Sequence, residues 1–329
     1  MNETKRVNLG RSGPAVFPVG LGCMGMSGMY GPTDDAESVA TLRAALDAGI
    51  DLFDTGDFYG MGHNEALIAE VIAGRRAEVK LSVKFGALRG PDGAWLGVDN
   101  RPAAVKTFAA YSLKRLGVEA IDLYRPARLD PQVPIEDTIG AVADLVKAGY
   151  VKHIGLSEVG PDTIRRAQAV APIADLQIEY SLVSRGPEAR IFPLLHELGI
   201  GATLYGVLSR GLLSGRRPQG PADFRAYLPR FTGDAQDANA RAVSALAGFA
   251  GEKDLTPAQL SLAYVLAKQP GFVPLLGVKT RTQLAGLLEA LESPLSLADV
   301  SALEALVPPS SIVGTRYAPQ HMAHLDSER

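Results

Sequence analysis

Short apolar runs and longer stretches of helical periodicity alternate along most of the chain. Val19 to Cys23, Ile50 to Phe53, Val79 to Val83, Ile121 to Tyr124, Val151 to Leu156, Ala174 to Ile178, Ile200 to Tyr205 and Phe272 to Leu275 have the length and bounding polar residues of buried strands. Between them the apolar residues recur every three or four positions. Val39, Leu42 and Leu46 share one face of a helix that Asp34 or Asp35 caps and Gly49 stops. Ile135, Ile139, Val142 and Val146 do the same in a helix that ends at Gly149. Further helices are predicted over 65–73, 101–116, 162–170, 187–198, about 240–250, 257–267 and about 281–291. Residues 5 to 24 alternate apolar and polar around Gly10, Gly13 and Pro14, which predicts a β-hairpin leading into the first strand.

Eight strands alternating with helices, with no break in composition, predict a single α/β domain over residues 1–329, a (β/α)8 TIM barrel rather than a doubly wound sheet. The intervals at about 86–99 and 206–235 are too long for plain turns, and each follows the C-terminal end of a strand, the functional face of such a barrel. The first holds the only tryptophan, Trp95; the second is rich in arginine, glycine and proline. Both read as lids over a site or as surface ornament. The tail from about residue 308 has no clear periodicity; it either wraps across the barrel or is partly disordered.

Composition narrows the partners. A net charge of -3 over 329 residues supplies no basic field for a nucleic-acid backbone. The start of the chain is charged and lacks the apolar core of a signal peptide, and no apolar run approaches the roughly 20 residues of a membrane helix. Cys23 is the only cysteine, so neither an intrachain disulfide nor a cysteine-rich metal site is expected. The expectation is a cytoplasmic, soluble protein with no metal.

The chemistry concentrates between Asp51 and Tyr59, where the second strand ends in Asp54, Asp57 and Tyr59, while the third strand ends in Lys84. If those strands are parallel neighbours, a carboxylate, a phenol and an ammonium meet at one end of the sheet. An ammonium beside a phenol stabilises the phenolate, and a carboxylate holds the ammonium in place, so the phenol can act as an acid towards a carbonyl oxygen. A buried ion pair and a core phenol are the structural alternative.

Several phrases together resemble the aldo-keto reductases: Gly20-Leu-Gly-Cys-Met-Gly-Met, Phe53-Asp-Thr-Gly-Asp-Phe-Tyr-Gly, His63-Asn-Glu, Gly155-Leu-Ser, Tyr180-Ser-Leu-Val-Ser-Arg and Arg210-Gly-Leu-Leu-Ser-Gly. They fall in the family's order over about residues 5–317. The resemblance implies a (β/α)8 barrel that binds NADPH in an extended pose without a Rossmann glycine loop. It implies that Tyr59 is the general acid, Lys84 the charge that eases its ionisation and Asp54 the orienting partner. The family's fourth catalytic position, a histidine, falls on Ala127 in Asp122-Leu-Tyr-Arg-Pro-Ala-Arg-Leu-Asp-Pro. Alanine offers no donor there, and losing one such donor typically costs about 10²–10³ in rate. A similar Ala-Arg-x-Asp phrase occurs among the pyridoxal reductases of the family.

For the cofactor, NADPH/NADP+, the resemblance points to Gly22, Met24, Ser157, Glu158, Gln177 and a stacking Tyr205 around the nicotinamide. It points to Leu208, Ser209, Arg210 and Gly211 at the pyrophosphate, and to Gly277, Lys279, Arg281 and Gln283 near the adenosine 2′-phosphate. The family's Glu-Asn pair for adenine is replaced near Gly286-Leu287. Met24, Tyr30, Phe58, Trp95, Ala127 and Arg125 are candidates for the substrate wall. Arg125 has three open roles: pairing with Asp54, meeting an anionic substrate group, or forming a salt bridge with another carboxylate. The implied activity is NADPH-dependent reduction of a small-molecule aldehyde or ketone. Pyridoxal reduction, alcohol or sugar oxidation in reverse, and an NADPH-binding regulatory role with weak turnover are the alternatives.

Overall fold

The computed structural model describes residues 6–218, 220 and 223–329. Lys5 of the expected hairpin and residues 219, 221 and 222 of the second long interval lie outside the described residues. The strands β1 (Gly20–Gly22), β2 (Leu52–Gly56), β3 (Lys80–Phe85), β4 (Ile121–Pro126), β5 (Val151–Ser157), β6 (Ile173–Glu179), β7 (Gly201–Tyr205) and β8 (Val273–Leu276) form a closed parallel barrel. Their order around the ring follows the chain, and Leu275 of β8 sits opposite Gly20 of β1 to close it. The fold is the (β/α)8 barrel that the alternation predicts.

Each strand has two buried faces, and they carry different chemistry. Outward residues such as Phe53, Val83, Phe85, Tyr124, Leu156 and Ile178 pack with the surrounding helices into the larger core. Inside the barrel, Leu52, Leu123, Val273 and Leu275 make an apolar floor with Leu9 and Val16 of the N-terminal hairpin. One pleat further along, the inward positions turn polar: Asp54 follows Leu52, and Arg125 follows Leu123. An apolar-run reading therefore stops short of the true strand ends, and β2 to β6 extend beyond the predicted limits to include Gly56, Phe85, Pro126, Ser157 and Glu179.

The hairpin (Val7–Asn8 with Ala15–Val16) seals the floor by close backbone approach. Gly10 holds φ +67°, and a β-carbon at Gly201 would lie 2.5 Å from the Gly10 nitrogen. Helices α1 (Asp35–Asp47), α2 (His63–Ile72), α3 (Pro102–Leu116), α4 (Ile135–Lys147), α5 (Pro161–Val170), α6 (Pro187–Leu198), α7 (Gly233–Gly251), α8 (Pro257–Lys268) and α9 (Arg281–Leu288) match the predicted series, with α7 starting earlier than expected. Asp34 caps α1 by accepting from the Glu37 N–H at 3.1 Å.

One further helix, α10 (Leu297–Leu306), is absent from the periodicity reading. Its apolar residues do not fall on one face, so only the capping box of Ser296 and Asp299 announces it. The first long interval is a small antiparallel hairpin, Ala87–Arg89 with Trp95–Val98. The tail wraps across the barrel mouth, burying Arg316 and Leu325, and Asp326 accepts from the Gly160 N–H at 2.7 Å. No helix among the described residues is long and apolar enough to cross a membrane.

Because the atoms facing Gly201 are backbone, they cannot swing aside. Gly201→Ala should lower the unfolding free energy by about 1–3 kcal/mol, read from urea denaturation, while Gly74→Ala, whose added carbon meets nothing within 4 Å but whose φ of +79° is strained, tests backbone conformation alone.

Candidate active site

Asp54 organises the barrel interior. The register sets Asp54 beside Ser82 and Gly56 beside Lys84, so all three side chains enter from adjacent parallel strands. Lys84 Nζ donates to Asp54 Oδ1 at 2.5 Å; Ser82 Oγ and Gln177 Nε2 donate to Oδ2 at 2.8 and 2.7 Å. The layer continues through Arg125, whose Nη2 donates to Ser82 Oγ and whose Nη1 donates to Thr203 Oγ1, both at 2.9 Å. Arg125 also pairs with Asp175 Oδ2 at 3.1 Å, and Thr203 donates to the same oxygen at 2.7 Å. Buried ions of this kind depend on hydrogen bonds to their remaining atoms, and here Arg125 Nε and Asp175 Oδ1 stay buried without a partner among the described residues. Burial pushes the Lys84 pKa down, and the Asp54 charge opposes that push.

This layer corrects one expectation and redirects another. Arg125 takes the third of its open roles: it is fully buried and engaged by Asp175, so it is withdrawn from the substrate wall. The Gln177 amide turns its Nε2 end to Asp54.

Tyr59 begins the turn that follows β2 and is nearly buried. The Phe58 ring meets it edge-on at 4.8 Å, and Lys84 Nζ stands 5.0 Å from its ring centroid. Its hydroxyl bonds to no protein group among the described residues. Burial raises its pKa well above the ordinary phenol value, Asp54 and Tyr30 add to the rise, and the Arg128 charge opposes it. The phenol is therefore protonated at neutral pH. Lys84, with its charge shared by Asp54, lies over the ring, and the Arg128 charge also favours the phenolate. Ala127, buried, bonds through its N–H to Phe85 O at 2.8 Å and offers the mouth only a methyl group.

A second acid stands two residues before Tyr59 in the chain. Asp57 has one buried oxygen without a partner. Burial and the neighbouring Glu65 raise its pKa to about 8, against the pull of Arg115, which itself pairs with Glu65 at 2.5 Å.

The opposite side of the mouth is tied to the tail. Glu158, with φ +53°, is fully buried, and its carboxylate accepts from Arg316 at 3.1 and 3.0 Å, Ser327 Oγ at 2.6 Å and Tyr205 Oη at 2.8 Å. Burial pushes its pKa up, but Arg316 prevails and holds it at about 2. Its side chain is thus a tail anchor, a correction to its expected place at the nicotinamide. The neighbouring Ser157 hydroxyl bonds to no protein group among the described residues. Tyr205 Oη also lies 3.3 Å from Tyr317 Oη.

In the loop after β7, which begins at Leu208, Ser209, Arg210 and Gly211 hold φ of 46°, 56° and 95°. Left-handed backbone at two non-glycine residues stores strain in this turn. Arg210 pairs with Glu179 at 2.7 Å and lies 4.5 Å from the Tyr317 ring centroid. Lys279 Nζ donates only to Tyr30 O and Pro32 O, at 3.1 and 3.2 Å. Two expected contacts of the 2′-phosphate are engaged elsewhere: Arg281 pairs with Glu37 at 2.9 Å, and Gln283 Oε1 accepts from the Lys279 N–H at 2.9 Å. Gly22 and Gly277 approach one another where β1 ends and β8 has passed; a β-carbon on Gly22 would lie 3.8 Å from Gly277 Cα. Met24 is half-buried in the turn after β1. Tyr30 faces Arg225, with its ring 5.5 Å from the guanidinium. Trp95 lies on the small hairpin.

The family model described as "Aldo/keto reductase family" matches residues 18–308. This chain belongs to the aldo/keto reductase family. It is 39% identical over 322 residues to "Probable aldo-keto reductase 1" of Glycine max, covering 96% of this chain and 92% of that protein. It is 36% identical over 312 residues to the aldo-keto reductase yakc of Schizosaccharomyces pombe, designated NADP(+), covering 92% of this chain and 91% of the relative. Among solved structures it resembles the glycerol dehydrogenase of Gluconobacter oxydans, with TM-score 0.83, 25% identity and coverage of 93% and 97%. An aldo-keto reductase of Bacillus halodurans in its holo form gives TM-score 0.78, 28% identity and coverage of 93% and 97%. As an aldo/keto reductase, the chain is an oxidoreductase acting on carbonyl and alcohol groups with a nicotinamide dinucleotide.

The residues of this aldo/keto reductase fit such a cofactor at the Ser157 hydroxyl, the left-handed turn at 209–211 and Lys279, whose ammonium donates to the backbone carbonyls of Tyr30 and Pro32. Sequence reading overlooked Ser82, Asp175, Glu179 and Thr203, although their spacing from Lys84, Gln177 and Tyr205 by two residues marks them as inward. It also overlooked Arg128, Arg316 and Tyr317, for which no periodic signal exists.

Asp57 gives a pH dependence of stability. Its folded value of about 8 lies above the ordinary 3.8, so the folded chain holds this proton more tightly than the unfolded one. The resulting stabilisation is complete below pH 3.8 and is lost as pH rises through about 8. Asp57→Asn, which mimics the protonated acid, should remove that loss. Unfolding free energies of the two proteins measured at several pH values should therefore diverge as pH rises; parallel curves would show that Asp57 titrates normally.

Proposed function

We propose that this aldo/keto reductase reduces an aldehyde or ketone with Tyr59 as the general acid and NADPH as the hydride source. The observation that carries the reading is the Tyr59 hydroxyl: protonated, free of protein partners and set beside the buried Asp54–Lys84 pair. When bound, the cofactor supplies the hydride to the carbonyl carbon. Tyr59 gives its proton to the carbonyl oxygen as charge develops there. Asp54 fixes the ammonium of Lys84, whose charge then lies against the ring as the phenolate forms. Microscopic reversibility lets the same groups oxidise an alcohol, with Tyr59 Oη as the base.

Ser157 would meet the nicotinamide carboxamide, and Tyr205 offers a ring near it. The 209–211 turn would take the pyrophosphate, and Lys279 the 2′-phosphate. The preference for NADPH rests on Lys279 and on the NADP(+) designation of the yakc relative. Burial and the nearby Arg225 charge push the Lys279 pKa down, and an added phosphate would relieve that repulsion.

Tyr59→Phe should lower single-turnover reduction of an aldehyde by about 10²–10⁴ while leaving NADPH affinity, read by cofactor fluorescence, close to wild type. Retained reduction in that variant would remove Tyr59 from the proton-donor role. Ala127→His restores a donor beside the carbonyl oxygen and should change the pH profile or the substrate range. An enzyme indifferent to that change would show that position 127 does not face the substrate.

A further inference from the structure

Along β7 the inward positions climb the barrel two residues at a time. Gly201 meets the N-terminal hairpin at the floor, Thr203 bonds to Arg125 and Asp175 in the polar layer, and Tyr205 comes next, at the mouth. Tyr205 is half-buried, and its ring packs against the apolar cluster of the barrel interior. Its hydroxyl donates to Glu158 Oε1 at 2.8 Å and lies 3.3 Å from Tyr317 Oη. A fully buried carboxylate is thus held at the tip of a phenol whose ring faces the space above the polar layer.

The tail brings the counter-charge. Arg316 donates to both oxygens of Glu158, at 3.1 and 3.0 Å, and reaches on to Glu179 at 3.2 Å and Glu328 at 2.5 Å. Glu179 has a second cation in Arg210, at 2.7 Å. Arg316 is the one ion-pair partner of Glu158 among the described residues, with Arg128 adding a smaller pull. Three neutral donors also serve this carboxylate: Tyr205 Oη, Ser327 Oγ at 2.6 Å and the Glu179 N–H at 2.9 Å. Hydrogen bonding is therefore well supplied without the arginine, and what Arg316 adds is charge. Because Arg316 holds Glu158 at about 2 against the effect of burial, the carboxylate stays ionised at neutral pH.

Charge in this place discriminates between two forms of one ligand. A nicotinamide ring is a cation when oxidised and neutral when reduced, and the rest of the dinucleotide is the same in both. A lone carboxylate behind the ring's platform favours the oxidised form; a cation on that carboxylate cancels the preference.

We propose that Arg316, by neutralising Glu158 behind Tyr205, sets the balance between oxidised and reduced cofactor and keeps the site from favouring NADP+. This rests on the placement of the nicotinamide beside Tyr205 given above. Arg316 acts through Glu158, so it is a positioning residue for charge and not a catalytic one.

Dissociation constants of the full-length enzyme for the two cofactors test it, with no carbonyl compound present. NADPH is titrated by its own fluorescence, and NADP+ by displacing it. Arg316→Gln should lower the ratio of the NADP+ constant to the NADPH constant about tenfold, the scale on which one charge acts on another in a partly desolvated site. Glu158→Gln should raise the ratio, the double variant should return it close to wild type, and Arg316→Lys should leave it there. A tail that only braces the fold would weaken both cofactors alike, and a ratio unmoved in Arg316→Gln overturns the proposal. Should that variant fail to fold, Glu328→Gln decides, since Glu328 is exposed and shares the Arg316 charge. Its loss should raise the ratio about twofold or more, and an unchanged ratio overturns the proposal. Tyr205→Leu separates this inference from the placement beneath it. Weakened binding of both cofactors there, with a fixed ratio across the charge variants, strikes only the role of Arg316. Unchanged binding in Tyr205→Leu removes the nicotinamide from Tyr205 and overturns both.

Discussion

The structure depends on keeping an ion pair inside a barrel. Asp54 and Lys84 are almost wholly removed from water, which is tolerable only because Ser82 and Gln177 complete the carboxylate's hydrogen bonds. Satisfying Asp54 in this way commits residues from three strands. Ser82 is itself held by Arg125, and Arg125 requires Asp175 and Thr203 in turn. A continuous polar layer thus crosses the barrel above an apolar floor. It fixes where Tyr59 can stand, because the ammonium over its ring cannot move without abandoning Asp54.

A second ionic layer closes the mouth from above. Glu158 and Glu179, at the ends of β5 and β6, draw in Arg210 from the loop after β7 and Arg316 from the tail. Tyr317 then lies against Arg210 and near Tyr205. Charge balance in this layer is close to complete. The two layers do different things: the lower one fixes Asp54 and Lys84 beside Tyr59, and the upper one ties the tail across the mouth. Ala127 carries no side-chain donor, and Arg128, next in sequence, donates to its carbonyl at 2.7 Å.

Most of the architecture was legible in the chain. Alternation of strand-length apolar runs with helical periodicity is a local property, and each of the eight runs became a barrel strand. The Asp54, Tyr59 and Lys84 grouping was legible too, because parallel neighbours with similar ends bring their C-terminal residues together. Helix α10 was not, since its apolar residues follow no single face and its only sign is a cap. Strand ends were read short for a related reason: inward residues there are polar, and polarity looks like a turn until the barrel is closed.

Residue order alone thus determined the barrel and the end of it where Asp54, Tyr59 and Lys84 gather, because these follow from periodicity and strand direction. Only the folded molecule decided which charges neutralise one another. Arg125 went to Asp175, Glu158 to Arg316 and Arg281 to Glu37, each across a long stretch of chain. Ion pairing is a matter of distance and burial in three dimensions, and no spacing in a sequence encodes which carboxylate an arginine meets.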